Sequence, residues 1–222
     1  EGIGLVQRTH GGAQAVVRAG QTAPFDVRLL QRVDVKRAIG RAAVDLITAG
    51  DVLFLDAGTT VFETARQIPE TLLEDGGLTI VTRSLRIAAF FGDQRGVRLI
   101  VLGGVYVPDF DTFVGPQVAN ALRNLHVDKM FLGIDGVTIR HGLTTDNALE
   151  ADLYPLLMRV ADRIIIVSDS SKIGLNRLQV MFSVQEIHAF ITDCGAPQDF
   201  LDYLRDSGIQ VIKVSSAEGG CR

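Results

Sequence analysis

The residues best suited to hold an anion lie in Asp51-Val-Leu-Phe-Leu-Asp56-Ala-Gly58-Thr59-Thr60. A short apolar run ends on a carboxylate, turns through glycine and enters a helix through two threonines. The first helical turn has backbone N–H groups without intrahelical partners, and the macrodipole makes that end attractive to negative charge. Gly58 lets the backbone approach a ligand, and Thr59 and Thr60 add hydroxyl donors, a combination that suits phosphate. Ordinary helix capping accounts for the same residue types. This stretch alone leaves both readings open.

Similar chemistry recurs where other apolar runs end. Thr82-Arg83-Ser84, Gly103-Gly104, Asp135-Gly136, Asp169-Ser-Ser-Lys172 and Thr192-Asp193 follow in order. A structural sheet needs turn residues there, but not so many carboxylates, hydroxyls and a lysine. The set suits a polyhydroxylated anion, with hydroxyls and N–H groups for phosphate, carboxylates for sugar hydroxyls and Lys172 for charge neutralisation. Each member also has a plainer reading. Asp135-Gly136 is a common turn dipeptide, Asp169-Ser170 is a ready cap, Thr192-Asp193 is read as structural, and Arg83 has Asp56 and Asp135 as possible partners. The four histidines show no metal-type spacing, and neither GxGxxG nor a Walker A stretch occurs, so no metal and no nucleotide or other cofactor is expected.

The elements that must carry these residues follow from periodicity. From Asp34, which offers an N-cap, apolar residues recur at helical spacing through Ile47, with Gly50 as a candidate C-cap. Short apolar runs then alternate with helical segments. Strands are expected at Val52–Leu55, Leu78–Val81, Val97–Leu102, Met130–Ile134, Ile164–Val167, Ala189–Thr192 and Val211–Val214. Helices are expected at Val61–Ile68, Leu85–Phe91, Pro116–Leu125, Leu149–Ala161 and Asp199–Ser207. Continuous apolar strands separated by helices imply an α/β fold, a mostly parallel Rossmann-like sheet with helices on both faces. In such sheets ligands bind at the carboxyl ends of the strands. Tyr106–Val114 and Leu175–Phe182 are less regular and are expected as a small β appendage. Glu1–Gln31 is poorly periodic and reads as loop or linker.

Composition narrows the class. At 222 residues and 47% hydrophobic, the chain buries a substantial core in one domain, or one with a small subdomain. A formal net charge of −4 argues against a basic nucleic-acid surface on this segment. Cys194 and Cys221 lack metal-type spacing and suggest reduced thiols in a cytoplasmic setting. No apolar run approaches a membrane span, so no membrane partner is expected.

Taken together, the motifs resemble the DeoR family of transcriptional repressors. Arg8-Thr-His-Gly-Gly12-Ala resembles the end of their winged helix-turn-helix, and Pro24-Phe25…Arg28 with Lys36-Arg-Ala-Ile-Gly-Arg-Ala-Ala43 resembles the start of their sensor domain. Leu55-Asp-Ala-Gly-Thr-Thr60, Val81-Thr-Arg-Ser84, Leu102-Gly-Gly104, Phe131-Leu-Gly-Ile-Asp-Gly136, Gly142-Leu-Thr-Thr145, Asp169-Ser-Ser-Lys172 and Ile191-Thr-Asp193 continue it over almost the whole chain. The resemblance implies a fold similar to ribose-5-phosphate isomerase and a sensor of a phosphorylated sugar or polyol. It implies residues 1–31 as linker and tail of a DNA-binding domain that precedes Glu1, and residues 32–222 as the effector-binding domain. Operator DNA, reached through that preceding domain, and further copies of the chain are the implied partners.

By the same resemblance Gly58, Thr59 and Thr60 match the phosphate loop, Lys36 and Lys172 match basic positions facing the phosphate, and Asp56, Asp135 and Gly104 match positions lining the sugar. Thr82, Arg83 and Gly136 complete the expected effector-binding set. Arg83 stands where the family usually has asparagine, and Leu153, Tyr154 and Pro155 follow the acidic pair Glu150 and Asp152 where a basic residue is common. Active isomerases of this fold carry further acidic residues after the Asp-Gly dipeptide. Val137 and Thr138 stand there instead, which favours a sensor over the alternative, a sugar-phosphate isomerase. No catalytic residue is expected.

Overall fold

The structure is a computed structural model that describes residues 6–9, 12–15, 23–74 and 77–215. Its elements run β1 (Val6–Thr9), β2 (Gly12–Ala15), α1 (Phe25–Leu30), α2 (Val33–Val44), β3 (Val52–Leu55), α3 (Thr59–Gln67), α4 (Glu70–Leu73), β4 (Leu78–Thr82), α5 (Leu85–Gly92) and β5 (Val97–Val101). They continue with β6 (Val105–Val107), β7 (Thr112–Val114), α6 (Pro116–Leu122), β8 (Val127–Leu132), β9 (Gly136–Thr138), β10 (Gly142–Thr145), α7 (Tyr154–Val160) and β11 (Ala161–Val167). The last are β12 (Gln179–Phe182), β13 (Ala189–Asp193), α8 (Gln198–Asp206) and β14 (Gln210–Val214).

The seven expected strands form one seven-stranded sheet, ordered β14-β13-β11-β8-β3-β4-β5, with every pair parallel. The apolar runs are continuous because both faces are covered. Side chains alternate across a strand, and in β11 the alternation divides one run between two cores. Ile164 and Ile166 pack with α6, α7 and α8, through residues such as Leu122, Leu157 and Leu204. Ile165 and Val167 pack with α2, α3 and α5, through residues such as Ile39, Val61 and Phe91. The chain winds outward from β3 through β4 to β5, then crosses back to β8 and winds the other way. The strand order therefore reverses between β3 and β8, the place where doubly wound sheets leave a crevice beyond their carboxyl ends.

Several local expectations need correction. The segment expected as loop or linker contains α1, whose Phe25 is buried, and the backbone of a β1–β2 hairpin. Asp34 sits in the first turn of α2, which is capped by Arg32 in a left-handed conformation (φ 50°). Helix α2 ends at Val44, and Gly50 (φ 90°) belongs to the following loop. The long helix expected over Leu149–Ala161 is broken into a short 3₁₀ turn, Ala148–Glu150, and α7. Pro155 lies in the first turn of α7, where its missing N–H costs nothing; further into a helix it would remove a hydrogen bond.

The single expected appendage is two. Strands β6 and β7 form a hairpin, and β12-β10-β9 form a separate three-stranded antiparallel sheet. The expectation of reduced thiols is corrected at Cys194, which is disulfide-bonded; Cys221 lies outside the described residues. Among the described residues no helix is long and apolar enough to cross a membrane.

Candidate functional site

A cavity of about 280 Å³ opens at the β3/β8 reversal. Strand β3 delivers Asp56 to its rim, and the Asp56 N–H donates to the Phe131 carbonyl of β8 at 3.1 Å, which ties the two strand ends together. Gly58 then turns the chain at φ 139°, a conformation that strains any side chain, and α3 begins at Thr59 and Thr60. The N-terminus of this nine-residue helix faces the cavity beside Gly133 and Asp135, which follow β8. Lys172 arrives on a 3₁₀ turn, Ser170–Lys172, after β11.

Of the eleven expected effector-binding residues, eight line this cavity: Lys36, Asp56, Gly58, Thr59, Thr60, Arg83, Asp135 and Lys172. The other three stand off it for identifiable reasons. The Thr82 hydroxyl donates to the Leu55 carbonyl at 2.7 Å and accepts from the Ser84 N–H at 3.0 Å, bracing adjacent strand ends. A Cβ on Gly104 would lie 2.4 Å from the Val114 carbonyl oxygen, so that glycine serves the packing of the β6–β7 hairpin. Gly136 opens β9 instead of forming a turn, and a Cβ there would lie 2.4 Å from the Leu175 carbonyl oxygen.

The charged residues fall into two groups. One centres on Arg83, which is 1% exposed. Its Nε and Nη2 donate to the two oxygens of Asp56 at 2.5 and 3.0 Å, and Nη1 donates to Glu150 at 2.8 Å. Burial opposes the guanidinium charge, but Asp56 and Glu150 outweigh it and raise the Arg83 pKa above its ordinary value. The Tyr154 hydroxyl donates to the other Glu150 oxygen at 2.5 Å; burial, reinforced by Glu150, pushes that phenol well above its usual pKa. Nearby, Asp135 Oδ2 accepts from the Thr145 hydroxyl at 2.9 Å and the Asp146 N–H at 3.2 Å, while Oδ1 lies 3.8 Å from Arg28.

The second group holds Lys36, Lys172 and Arg32. Arg32 forks across two carboxylates, Asp169 at 2.6 Å and Asp193 at 2.9 Å. Asp169 accepts from the Ser171 N–H at 3.0 Å and so caps the turn that carries Lys172. Burial disfavours the Asp193 charge, but the Ser170 N–H and hydroxyl and Arg32 hold its carboxyl below the usual value. Lys36 is buried and donates to the Arg28 carbonyl. Burial, opposed by Asp169 and reinforced by Lys172 and Arg28, lowers its pKa to about 8. Among the described residues no carboxylate forms a salt bridge with Lys172 (compare the pairs made by Arg32 and Arg83).

Arg28 and Arg32 were missed as site residues because they fall in or beside the segment read as linker. The sequence spaces Arg28, Arg32 and Lys36 every four residues, but α1 and α2 are separate helices broken at Arg32 (φ 50°), so no single helix face aligns them. Arg28 joins three pieces of structure. Its Nε donates to the Ala23 carbonyl at 2.8 Å and Nη2 to the Asp109 carbonyl at 3.0 Å, and its guanidinium lies 5.7 Å from the Phe110 ring at the tip of the β6–β7 hairpin. Glu150, Tyr154 and Asp169 also belong to the cavity wall. Chemically, the arrangement offers cations and a helix N-terminus at one part and a ring of acceptors at another.

Residues 31–194 match the family described as the DeoR C terminal sensor domain. Similar proteins include a putative aga operon transcriptional repressor of Escherichia coli O157:H7, 34% identical over 95% of this chain and 78% of that protein. The HTH-type transcriptional regulator GlpR of Haloferax volcanii is 32% identical over 96% of this chain and 81% of that protein. Among solved structures, ribose 5-phosphate isomerase A of Methanocaldococcus jannaschii aligns with a TM-score of 0.47 and 18% identity, over 64% of this chain and 55% of that one. With all of the cavity's lining residues but Arg28 falling inside the matched residues, the chain belongs to the DeoR family and contains its C-terminal sensor domain.

Proposed function

We propose that this chain is the effector-binding part of a DNA-binding transcriptional repressor of carbohydrate metabolism genes, and that its effector is a phosphorylated sugar or polyol. One observation carries the reading: a helix N-terminus with two lysines and a network of carboxylates line a single cavity at the reversal of a parallel sheet. Lys36, Lys172 and the first turn of α3 would hold the phosphate. Asp56, Asp135 and Glu150 would accept hydrogen bonds from hydroxyls.

Operator contact is assigned to a winged helix-turn-helix domain to which residues 1–31 connect, with α1 counted to the sensor because Phe25 and Arg28 are built into it. Names such as "transcriptional repressor" among the relatives support this role, and a cytoplasmic homo-oligomer goes with it. Catalysis is disfavoured by the state of the carboxylates. Asp56 is committed to Arg83, and Glu150 to Arg83 and Tyr154, so Asp135 alone of the three would have to serve as both acid and base, where an isomerase of this kind needs a pair.

The test is a thermal-shift screen against phosphorylated and unphosphorylated sugars and polyols, followed by titration calorimetry of the hits. Stabilisation only by phosphorylated compounds is expected. Lys172→Ala should then weaken binding by about one to two powers of ten, the worth of a charge-assisted hydrogen bond, without changing the melting of the free domain. Turnover of a phosphosugar would favour an isomerase, and binding of unphosphorylated sugars alone would remove the phosphate assignment.

A further inference from the structure

The turn that carries Lys172, Ser170–Lys172, is a 3₁₀ turn of three residues. So short a piece closes few good hydrogen bonds of its own, and two carboxylates from elsewhere hold it. The Ser170 N–H donates to Asp193 Oδ1 at 2.6 Å and the Ser170 hydroxyl to Oδ2 at 2.9 Å. The Ser171 N–H donates to Asp169 Oδ1 at 3.0 Å. Arg32 ties both carboxylates together: Nη1 donates to Asp169 at 2.6 Å and to the Ser170 hydroxyl at 3.2 Å, and Nη2 donates to Asp193 at 2.9 Å. The strap joins the end of β13, the turn after β11 and the junction of α1 with α2. Arg32 stands at that junction in a left-handed conformation (φ 50°, ψ 41°) and gives α2 no side-chain cap. A residue with a Cβ rarely adopts this backbone, and it persists where the surroundings over-determine it. Here the fork across two buried carboxylates does so.

Arg32 itself faces the cavity and keeps donors to spare, so its effect on a bound anion need not pass through the turn. Asp193 is different. It is buried and lies off the cavity wall, and by charge alone it opposes an anion held beside Lys172. Charge and geometry therefore make opposite predictions for this residue. Building on the proposed role of Lys172 in holding the phosphate, we infer that Asp193 is a positioning residue that favours anion binding in spite of its own negative charge, because with Arg32 it fixes the turn presenting Lys172. Asp193→Asn replaces one oxygen by an NH₂ group, which cannot accept. The donors now shared between the two oxygens, from Ser170, Arg32 and the Gly195 N–H, then compete for one. The turn loosens, and the Lys172 ammonium no longer stands at one place.

The experiment is a double-mutant cycle read by titration calorimetry, with inorganic phosphate, glucose 6-phosphate and fructose 6-phosphate as probes. For the probe that binds tightest, Asp193→Asn should weaken binding by about tenfold. In the Lys172→Ala background the same substitution should change it by less than about twofold, since the turn then has no ammonium to present. Arg32→Lys keeps the charge but cannot fork, and should reproduce both results; it serves as the second variant should Asp193→Asn fold poorly. Native-state hydrogen exchange adds a readout that needs no probe. The Ser170 and Ser171 amides should exchange faster in either variant, while those of α3 keep their protection. Unchanged or tighter binding, equal losses in both Lys172 backgrounds, or unchanged exchange at Ser170 and Ser171 overturns the inference and leaves the effector reading intact. Failure of all three probes to bind the unmutated chain overturns both.

Discussion

Arg83 is held from both sides by acid, with Asp56 taking two of its hydrogen bonds and Glu150 a third. Removing one partner of a buried ionic cluster leaves charge without compensation, and such losses cost about 3–5 kcal/mol. Arg83→Met, similar in reach but uncharged, should therefore lower unfolding stability by about that amount at neutral pH, measured by urea titration. A loss under about 1 kcal/mol would mean that water reaches the pair. Lys36 leads to a pH prediction. Its folded pKa of about 8 lies below the ordinary 10.5, so below about 8 the folded state bears the cost of a buried charge, and that cost is relieved as pH rises from about 8 to 10.5. Binding of an anion runs the other way, since it needs Lys36 protonated. Phosphate is already a dianion there, with its second pKa near 6. Affinity should fall by up to about tenfold per pH unit above 8, and Lys36→Arg, charged throughout, should flatten the profile in calorimetry across pH 7 to 9.5. A flat profile in the unmutated chain would separate Lys36 from the phosphate.

At the scale of elements, α2 and α3 must lie close together for Lys36 on one and the N-terminus of the other to face the same cavity. Gly40 permits that approach. A Cβ at this position would lie 3.0 Å from the Glu63 carbonyl oxygen and 3.1 Å from the Thr64 Cα, both backbone atoms that cannot swing aside. In an isolated helix alanine would be favoured over glycine by roughly 0.5–1 kcal/mol. Overpacking typically costs about 1–3 kcal/mol, so the clash should win. Gly40→Ala is expected to lower stability by about 1–2 kcal/mol in denaturant unfolding, and to weaken phosphosugar binding by pushing the two helices apart. A stabilised variant would show that α2 can shift freely over α3.

For the molecule as a whole, the proposed role requires coupling between copies. Repressors that read paired half-sites bind as symmetric oligomers. Among the described residues, exposed apolar side chains include Leu178 (71%) and Val180 at the three-stranded appendage and Val105 and Leu85 near the β5 edge of the sheet. Sedimentation equilibrium should show self-association at micromolar concentration. Charged replacements at Leu178 and Val180, or at Val105 and Leu85, should reveal which part carries it. A monomer at all concentrations would count against the proposed oligomer.

Local patterns were enough to read the seven strands of the main sheet, their parallel arrangement, and seven residues of the cavity wall, while Lys36 was reached only through the family resemblance. Apolar runs such as Ile164–Val167 and turn chemistry such as Asp56-Ala-Gly58-Thr59 are short-range signals, and strand ends converge on one edge in any parallel sheet. Tertiary structure decided the rest. Gly104 and Gly136 share the residue type of ligand-approach glycines, yet distant backbone at Val114 and Leu175 makes them packing positions. Arg28 and Arg32 sit in a segment with weak periodicity, and only the packing of α1 against the hairpin tip and of α2 against β11 and β13 brings them to the cavity. Arg83 could be paired with Asp56 or Asp135 on sequence grounds. The fold chose Asp56 and added Glu150 from 67 residues away, because neighbouring strand ends and a distant turn enclose the same buried guanidinium. Periodicity and turn chemistry act over a few residues; the partner of a buried charge is set by which chain segments, however far apart in sequence, share its low-dielectric surroundings.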